Sequence, residues 1–134
     1  MSQREYRGFD RVETLLVVDD DQWVRELAGN ILRAEGYHVL EASDGKTALR
    51  MAKTHSGPID LLLTDVMMPE MTGRQLADRL QAAHPGMKVL FMSAYAPEAV
   101  TDAGVRATDP FIAKPFTVDY LARKVREVLG PRRT

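Results

Sequence analysis

The feature that most constrains this chain is a pair of short, mainly apolar runs that each stop at a carboxylate. Leu15-Leu16-Val17-Val18 runs into Asp19-Asp20-Asp21, and Ile59 to Thr64 runs into Asp65. A strand apolar on consecutive positions has both faces covered, which is the situation of a parallel sheet between helix layers rather than an antiparallel sheet with one wet face. The intervening segments carry helical spacing. Val24, Leu27, Ala28, Ile31 and Leu32 fall at offsets 0, 3, 4, 7 and 8 and stop at Gly36, an apolar stripe followed by a helix-ending glycine.

The alternation continues to the end of the chain and predicts five strand–helix rounds, a (βα)5 α/β fold. Tyr37 to Glu41 reads as the second strand, and a helix through Ala48, Leu49 and Ala52 follows Ser43-Asp44-Gly45. After the third strand, Met67 to Gly73 reads as loop. The third helix places Leu76, Leu80 and Ala83 on one face and closes at Pro85-Gly86. Met87 to Met92 is the expected fourth strand and Phe111 to Ala113 the fifth, with a weak helix from Pro97 to Gly104 and an irregular stretch at Arg106 to Pro110 between them. Thr117 is placed to cap a last helix with Val118, Leu121, Ala122, Val125, Val128 and Leu129 on its apolar face, ended by Gly130-Pro131. The expected domain is 14–130, with 1–13 a polar lead-in or linker and 131–134 a short tail.

Composition narrows the function classes. The chain has 134 residues, enough for one domain, and 18 Lys+Arg against 19 Asp+Glu leave a net charge of −1, which argues against direct nucleic-acid binding. There is no cysteine, so disulfides, thiolate zinc sites and thiol nucleophiles are excluded. No apolar run approaches the ~20 residues of a membrane helix. Residues 1–12 carry charges and no apolar stretch, unlike a secretory signal, so a cytoplasmic location and no membrane partner are expected.

In an open parallel sheet, functional groups gather beyond the carboxyl ends of the strands. Here those ends bring Asp19, Asp20, Asp21, Asp65, Ser93 and Lys114 to one edge. Carboxylates held this close raise one another's pKa unless a cation lies among them. Magnesium, or manganese in its place, suits an all-oxygen set in which Asp20 and Asp65 are joined by a main-chain carbonyl of the following loop. A metal-screened Asp attacks phosphorus when a fixed cation, here Lys114, neutralises the phosphoryl oxygens. Ser93 adds a small hydroxyl donor. Asp21 is expected to cap the first helix, and Trp23 to be half-buried beside the acids.

Four pieces in order, Leu15 to Asp20, Asp65-Val66-Met67-Met68-Pro69-Glu70-Met71-Thr72-Gly73, Met92-Ser93-Ala94 and Lys114-Pro115-Phe116, resemble the receiver domain of two-component response regulators over about Thr14 to Leu129. The resemblance implies a flavodoxin-like, doubly wound five-stranded sheet in the order 2-1-3-4-5. It implies Asp65 as phosphoacceptor, Asp20 and Asp65 as metal ligands with the Met67 carbonyl, and Asp19 acting on the metal through water. Lys114 would bind phosphate, Ser93 would be the switch hydroxyl and Phe111 the aromatic switch. The Lys114-Pro115 peptide is often cis in such domains. The implied phosphoryl donor is a histidine kinase or histidine phosphotransfer protein, since His38, His55 and His84 form no kinase-like cluster. Thr72 stands where the family often has Asp, and 103–110 lacks the usual small-residue run into the fifth strand. That irregular stretch, with Lys114-Pro115-Phe116 and the Leu121 to Leu129 ending, is similar to receivers at the C-terminus of hybrid histidine kinases.

Two other classes compete. A receiver that docks partners without being phosphorylated is disfavoured by the intact set Asp20, Asp65, Ser93 and Lys114. A magnesium-dependent phosphatase has the Asp-x-Asp of Asp19 and Asp21, but Trp23 stands where such enzymes carry Thr or Val, and no segment is left to cap a substrate. Met67 and Tyr95, two residues after Asp65 and Ser93, are expected to flank the phosphoryl group and slow its hydrolysis. Met67, Met68, Met71, Met87 and Met92 read as core and loop filler rather than a ligand set.

Overall fold

A computed structural model describes residues 11–131. The elements alternate throughout: β1 Thr14–Val18, α1 Gln22–Ala34, β2 His38–Ala42, α2 Gly45–Thr54, β3 Leu61–Asp65, α3 Gly73–Ala83, β4 Lys88–Ser93, α4 Pro97–Asp102, β5 Phe111–Ala113 and α5 Val118–Leu129. All strand pairs are parallel and the sheet order is β2-β1-β3-β4-β5, the flavodoxin-like (βα)5 arrangement expected from the sequence.

The apolar runs are buried on both faces for the reason anticipated. Leu15, Val17, Leu61, Leu63, Leu90, Met92 and Ile112 point to one side and pack with Ala28, Ile31 and Leu32 of α1 and Leu121 and Val125 of α5. Leu16, Val18, Leu62 and Phe91 point to the other and pack with Ala48 and Ala52 of α2 and Leu76, Ala77 and Leu80 of α3. Removing a fully buried leucine from either layer costs about 2–5 kcal/mol, so the strand ends that carry the polar groups are anchored rigidly.

The helix starts follow local chemistry. The Asp21 carboxylate accepts from the Trp23 and Val24 amides, Asp44 from Thr47, and Thr117 from Tyr120. Thr72, at the position where the family often has Asp, forms a capping box with Gln75 at the start of α3.

Several boundaries and faces differ from expectation. Strands β2, β3 and β4 are displaced toward the C-terminus: β2 begins at His38, β3 at Leu61 and β4 at Lys88. Asp65 and Ser93 are therefore the last residues of β3 and β4 rather than the first beyond them. Leu27 and Val118, assigned to apolar faces, are 48% and 55% exposed. Ala83 is exposed, and Ala77 takes the core position. Helix α4 has six residues and no side-chain cap.

The irregular 103–110 stretch is organised by Arg74 of α3. Its guanidinium lies 5.1 Å from the Phe91 ring centroid and pairs with Asp109 at 3.1 Å. Asp109 in turn accepts the Arg106 amide at 2.8 Å. The expected lead-in lies outside the described residues over 1–10, as do Arg132 and Arg133 of the tail. Within them, Arg11 forks onto Asp60 at 2.7 and 3.1 Å, and Glu13 pairs with Arg126 at 2.9 Å.

Candidate functional site

The carboxyl ends of β1, β3, β4 and β5 meet at one edge of the sheet. Asp19 follows β1 and is fully buried; its Oδ1 accepts the Asp21 amide at 2.8 Å and its Oδ2 accepts from Lys114 Nζ at 2.7 Å. Asp20 beside it is exposed. Asp65 is 6% exposed, and one carboxylate oxygen from each of Asp19, Asp20 and Asp65 lies within 4.8 Å of the other two. Lys114 Nζ is 3.4 Å from Asp65 Oδ1, an ionic contact that leaves Oδ1 as a buried side-chain atom with no hydrogen-bond partner among the described residues.

The surrounding backbone is closely tied. The Asp19 amide donates to Ala42, Val66 to Met92, Lys114 to Ser93 and Gly73 to Val66. Gly73 passes so near the end of β3 that a Cβ there would lie 2.3 Å from the Asp65 carbonyl oxygen. Only glycine lets α3 begin directly behind Asp65. Glu70, in the same loop, has φ 71°, the left-handed region that non-glycine residues rarely adopt. The Lys114–Pro115 peptide is cis.

Electrostatics follow from the crowding. Burial, then the Asp19 charge, push the Asp65 carboxyl up to about 6 against the pull of Lys114. Burial alone would lower the Lys114 ammonium, but its hydrogen bond to Asp19 and the charges of Asp65 and Asp19 outweigh that, and the net displacement is upward. The donor set is all oxygen, close-set and under-neutralised, and Asp65 Oδ1 has the Lys114 charge nearby but no hydrogen-bond partner among the described residues; these features fit a hard divalent cation such as Mg2+.

The structure brings together Asp19, Asp20, Asp65 and Lys114. Ser93 is buried at the end of β4, its Oγ accepting the Tyr95 amide at 2.9 Å. Asp21 turns away as the α1 cap. Met67 and Tyr95 are 39% and 60% exposed, in the loops that follow Asp65 and Ser93. Phe111 is half-buried against the α2–α3 layer. Trp23 corrects an expectation: it is 85% exposed rather than half-buried, because residue 23 lies on the outer side of the first turn of α1. Met68, Met87 and Met92 are core residues. Arg25 was not anticipated; its Nη1 donates to the Asp19 carbonyl at 2.8 Å, a contact that no sequence motif announces.

A doubly wound sheet with an acidic cluster and a lysine at its carboxyl edge defines the class of receiver-type signalling modules. The family model for the response regulator receiver domain matches residues 15–126, and the chain belongs to that family. Such domains are signalling modules rather than enzymes, and they interact with histidine kinases and downstream effectors. The chain is 38% identical over 117 residues to the sensor kinase CckA of Brucella abortus, covering 87% of this chain and 12% of that one. It is 36% identical over 118 residues to the chemotaxis protein CheY of Pseudomonas aeruginosa, covering 85% and 94%. The crystal structure of the receiver domain from the hybrid histidine kinase CckA superposes with a TM-score of 0.74 at 36% identity, covering 87% of this chain and 99% of that one. The chain thus spans about an eighth of the length of the CckA kinase it matches. Among the described residues no helix is long and apolar enough to cross a membrane.

Proposed function

We propose that this domain accepts a phosphoryl group on Asp65 from a phosphohistidine of a histidine kinase or histidine phosphotransfer protein. The observation that carries the reading is the buried Asp65 Oδ1, without a hydrogen-bond partner among the described residues and facing Lys114 Nζ at 3.4 Å within the carboxylate cluster. An oxygen of ionised Asp65 attacks phosphorus; the new O–P bond forms as the N–P bond to the donor imidazole breaks, and the imidazole takes up a proton. Lys114 neutralises a phosphoryl oxygen, and Ser93 donates its hydroxyl to another. Asp20, Asp65 and the Met67 carbonyl would hold Mg2+ directly, and Asp19 through water. The ion would supply positive charge that screens the carboxylates from the incoming phosphoryl group.

Phosphorylation then biases two pre-existing surface conformations and so changes partner affinity. Ser93 and Phe111 are the moving parts. The similarity to the CckA receiver supports a place in a phosphorelay, as a receiver joined to a kinase or as a separate regulator.

The test is intact mass after incubation with Mg2+ and acetyl phosphate, and with a phosphohistidine donor. The expected result is one phosphoryl adduct, absent in Asp65→Asn and in EDTA. No adduct from either donor would refute the reading and leave a docking module that works without phosphate.

A further inference from the structure

Two arginines of α1 and one glutamate of β2 form a chain of contacts that ends on the backbone of the acidic site. Glu41, register partner of Val17, reaches over α1. Its Oε2 pairs with Arg33 Nη1 at 2.8 Å, and its Oε1 lies 3.7 Å from Arg25 Nε. Arg33 also donates to the Val39 carbonyl at 3.1 Å. The glutamate fits because residue 29 is glycine: a Cβ there would stand 2.5 Å from Glu41 Oε2. Arg25, only 16% exposed at its side chain, carries the link on, its Nη1 donating to the Asp19 carbonyl at 2.8 Å.

That carbonyl belongs to the peptide joining Asp19 to Asp20. Asp19 is fixed independently by Lys114 and by the Asp21 amide. Asp20 is exposed, and its carboxylate accepts no hydrogen bond among the described residues. The plane of the Asp19–Asp20 peptide sets where the Asp20 side chain starts from, and Arg25 is the side chain that donates to its carbonyl.

We infer that Arg25, braced by Glu41 in the notch at Gly29, is a positioning residue for the acidic site: it orients the Asp20 carboxylate toward the cation the cluster takes. The inference rests on the reading of the cluster as a divalent-cation site. Charge and positioning make opposite demands here. A guanidinium one peptide from the carboxylates repels a divalent cation, so a role by charge alone means that its removal tightens binding. A positioning role means that its removal weakens binding, as loss of partners behind metal ligands does by about 10–100-fold.

The experiment is calorimetric titration of the whole chain with MgCl2 for wild type, Arg25→Met, Arg25→Lys and Glu41→Gln, with melting of each in EDTA. Expected is weaker Mg2+ binding by about tenfold for Arg25→Met, and a smaller loss for Glu41→Gln, which leaves Arg25 in place but unbraced. Arg25→Lys, which keeps the charge but not the fork, falls with Arg25→Met. Glu41→Gln keeps the size of the side chain in the notch at Gly29 and removes no atom that touches the acidic site, so it reads the link even where Arg25→Met melts early. Unchanged or tighter binding in Arg25→Met and Glu41→Gln, with wild type binding Mg2+, overturns the positioning role and leaves the cation site standing. No Mg2+ uptake by wild type overturns both.

Discussion

Replacing Asp65 by Asn should stabilise the metal-free protein at neutral pH. Folding moves the Asp65 carboxyl from its ordinary 3.8 up to about 6, so the folded state holds its proton more tightly than the unfolded chain does. A carboxyl raised in this way leaves the fold unpenalised below the unfolded value. The cost grows as pH rises from the unfolded value toward the folded one, and it is complete above about pH 7. At about 1.36 kcal/mol per unit the displacement is about 3 kcal/mol. Asp20 at the mouth is exposed, and solvent screening there lowers the realistic figure to about 1–2 kcal/mol.

The assay is thermal melting of wild type and Asp65→Asn in EDTA from pH 4 to pH 8. Asn keeps the shape and removes the charge. For a chain of this size about 1–2 kcal/mol is a rise of about 4–8 °C in Tm, full at pH 8, still mostly present at about pH 6, halved near pH 5 and nearly gone by pH 4. Adding Mg2+ should narrow the gap at pH 8, because an ion held by the wild-type cluster stabilises it by mass action. Equal melting at pH 8, or a gap that widens toward pH 4, would refute the argument that ionised Asp65 is held at a cost.

Further outcomes follow from the same geometry. Lys114→Met leaves the buried Asp19 and Asp65 without their cation and should cost about 3 kcal/mol in EDTA at pH 7.5 by urea denaturation, with Mg2+ restoring part of it. Gly73→Ala places a methyl against the Asp65 carbonyl and should lose about 1–3 kcal/mol in the same assay, together with acetyl-phosphate labelling, whereas Gly86→Ala, with open space around it, should lose little. Arg74→Ala removes the Phe91 stack and the Asp109 pair; increased amide exchange over residues 103–110, with labelling at Asp65 intact, is the expected result. Met67 and Tyr95 at the mouth should give the phosphoryl group a lifetime well beyond seconds by mass spectrometry, shortened in Met67→Asn.

The site was legible in the sequence because strand ends are legible. A both-faced apolar run must stop where its side chains meet water, so Asp19, Asp65, Ser93 and Lys114 could be placed on one edge before any contact was known. Phe111 to Ala113 was bounded correctly by Pro110 and Lys114, and Asp21 and Thr117 were readable as caps because helix amides demand an acceptor there. Periodicity failed on what the neighbouring element decides. The spacing of Leu27 puts it on the apolar stripe of α1, but the stripe is wider than the sheet and α5 cover, and Leu27 falls at its uncovered margin. Trp23 lies in the first turn, before α1 meets its neighbours. The order in 103–110 depends on Arg74, about 30 residues earlier in the chain, and the Arg25–Asp19 link joins a guanidinium to a carbonyl, for which local pattern carries no signal.

What distinguishes this edge of the sheet is that its backbone is satisfied while its charge is not. The Asp19, Val66, Gly73 and Lys114 amides all have main-chain acceptors, so the scaffold has little reason to move, yet Asp65 Oδ1 is buried without a hydrogen-bond donor among the described residues. Charge arriving there is met without rebuilding a strand. On the proposed reading, the response must then pass through groups whose present partners are exchangeable. Ser93 is such a group: its Oγ now accepts the Tyr95 amide, and turning the hydroxyl toward a phosphoryl oxygen alters the tie that holds the start of the segment leading into α4. That helix has six residues and no side-chain cap, so the element nearest Ser93 is also among the least anchored by its own chemistry. On that reading the acid cluster, with its backbone tied, and the uncapped α4 divide the work according to where the polar residues fall along the sequence, and the element that responds lies next to Asp65 rather than within the cluster.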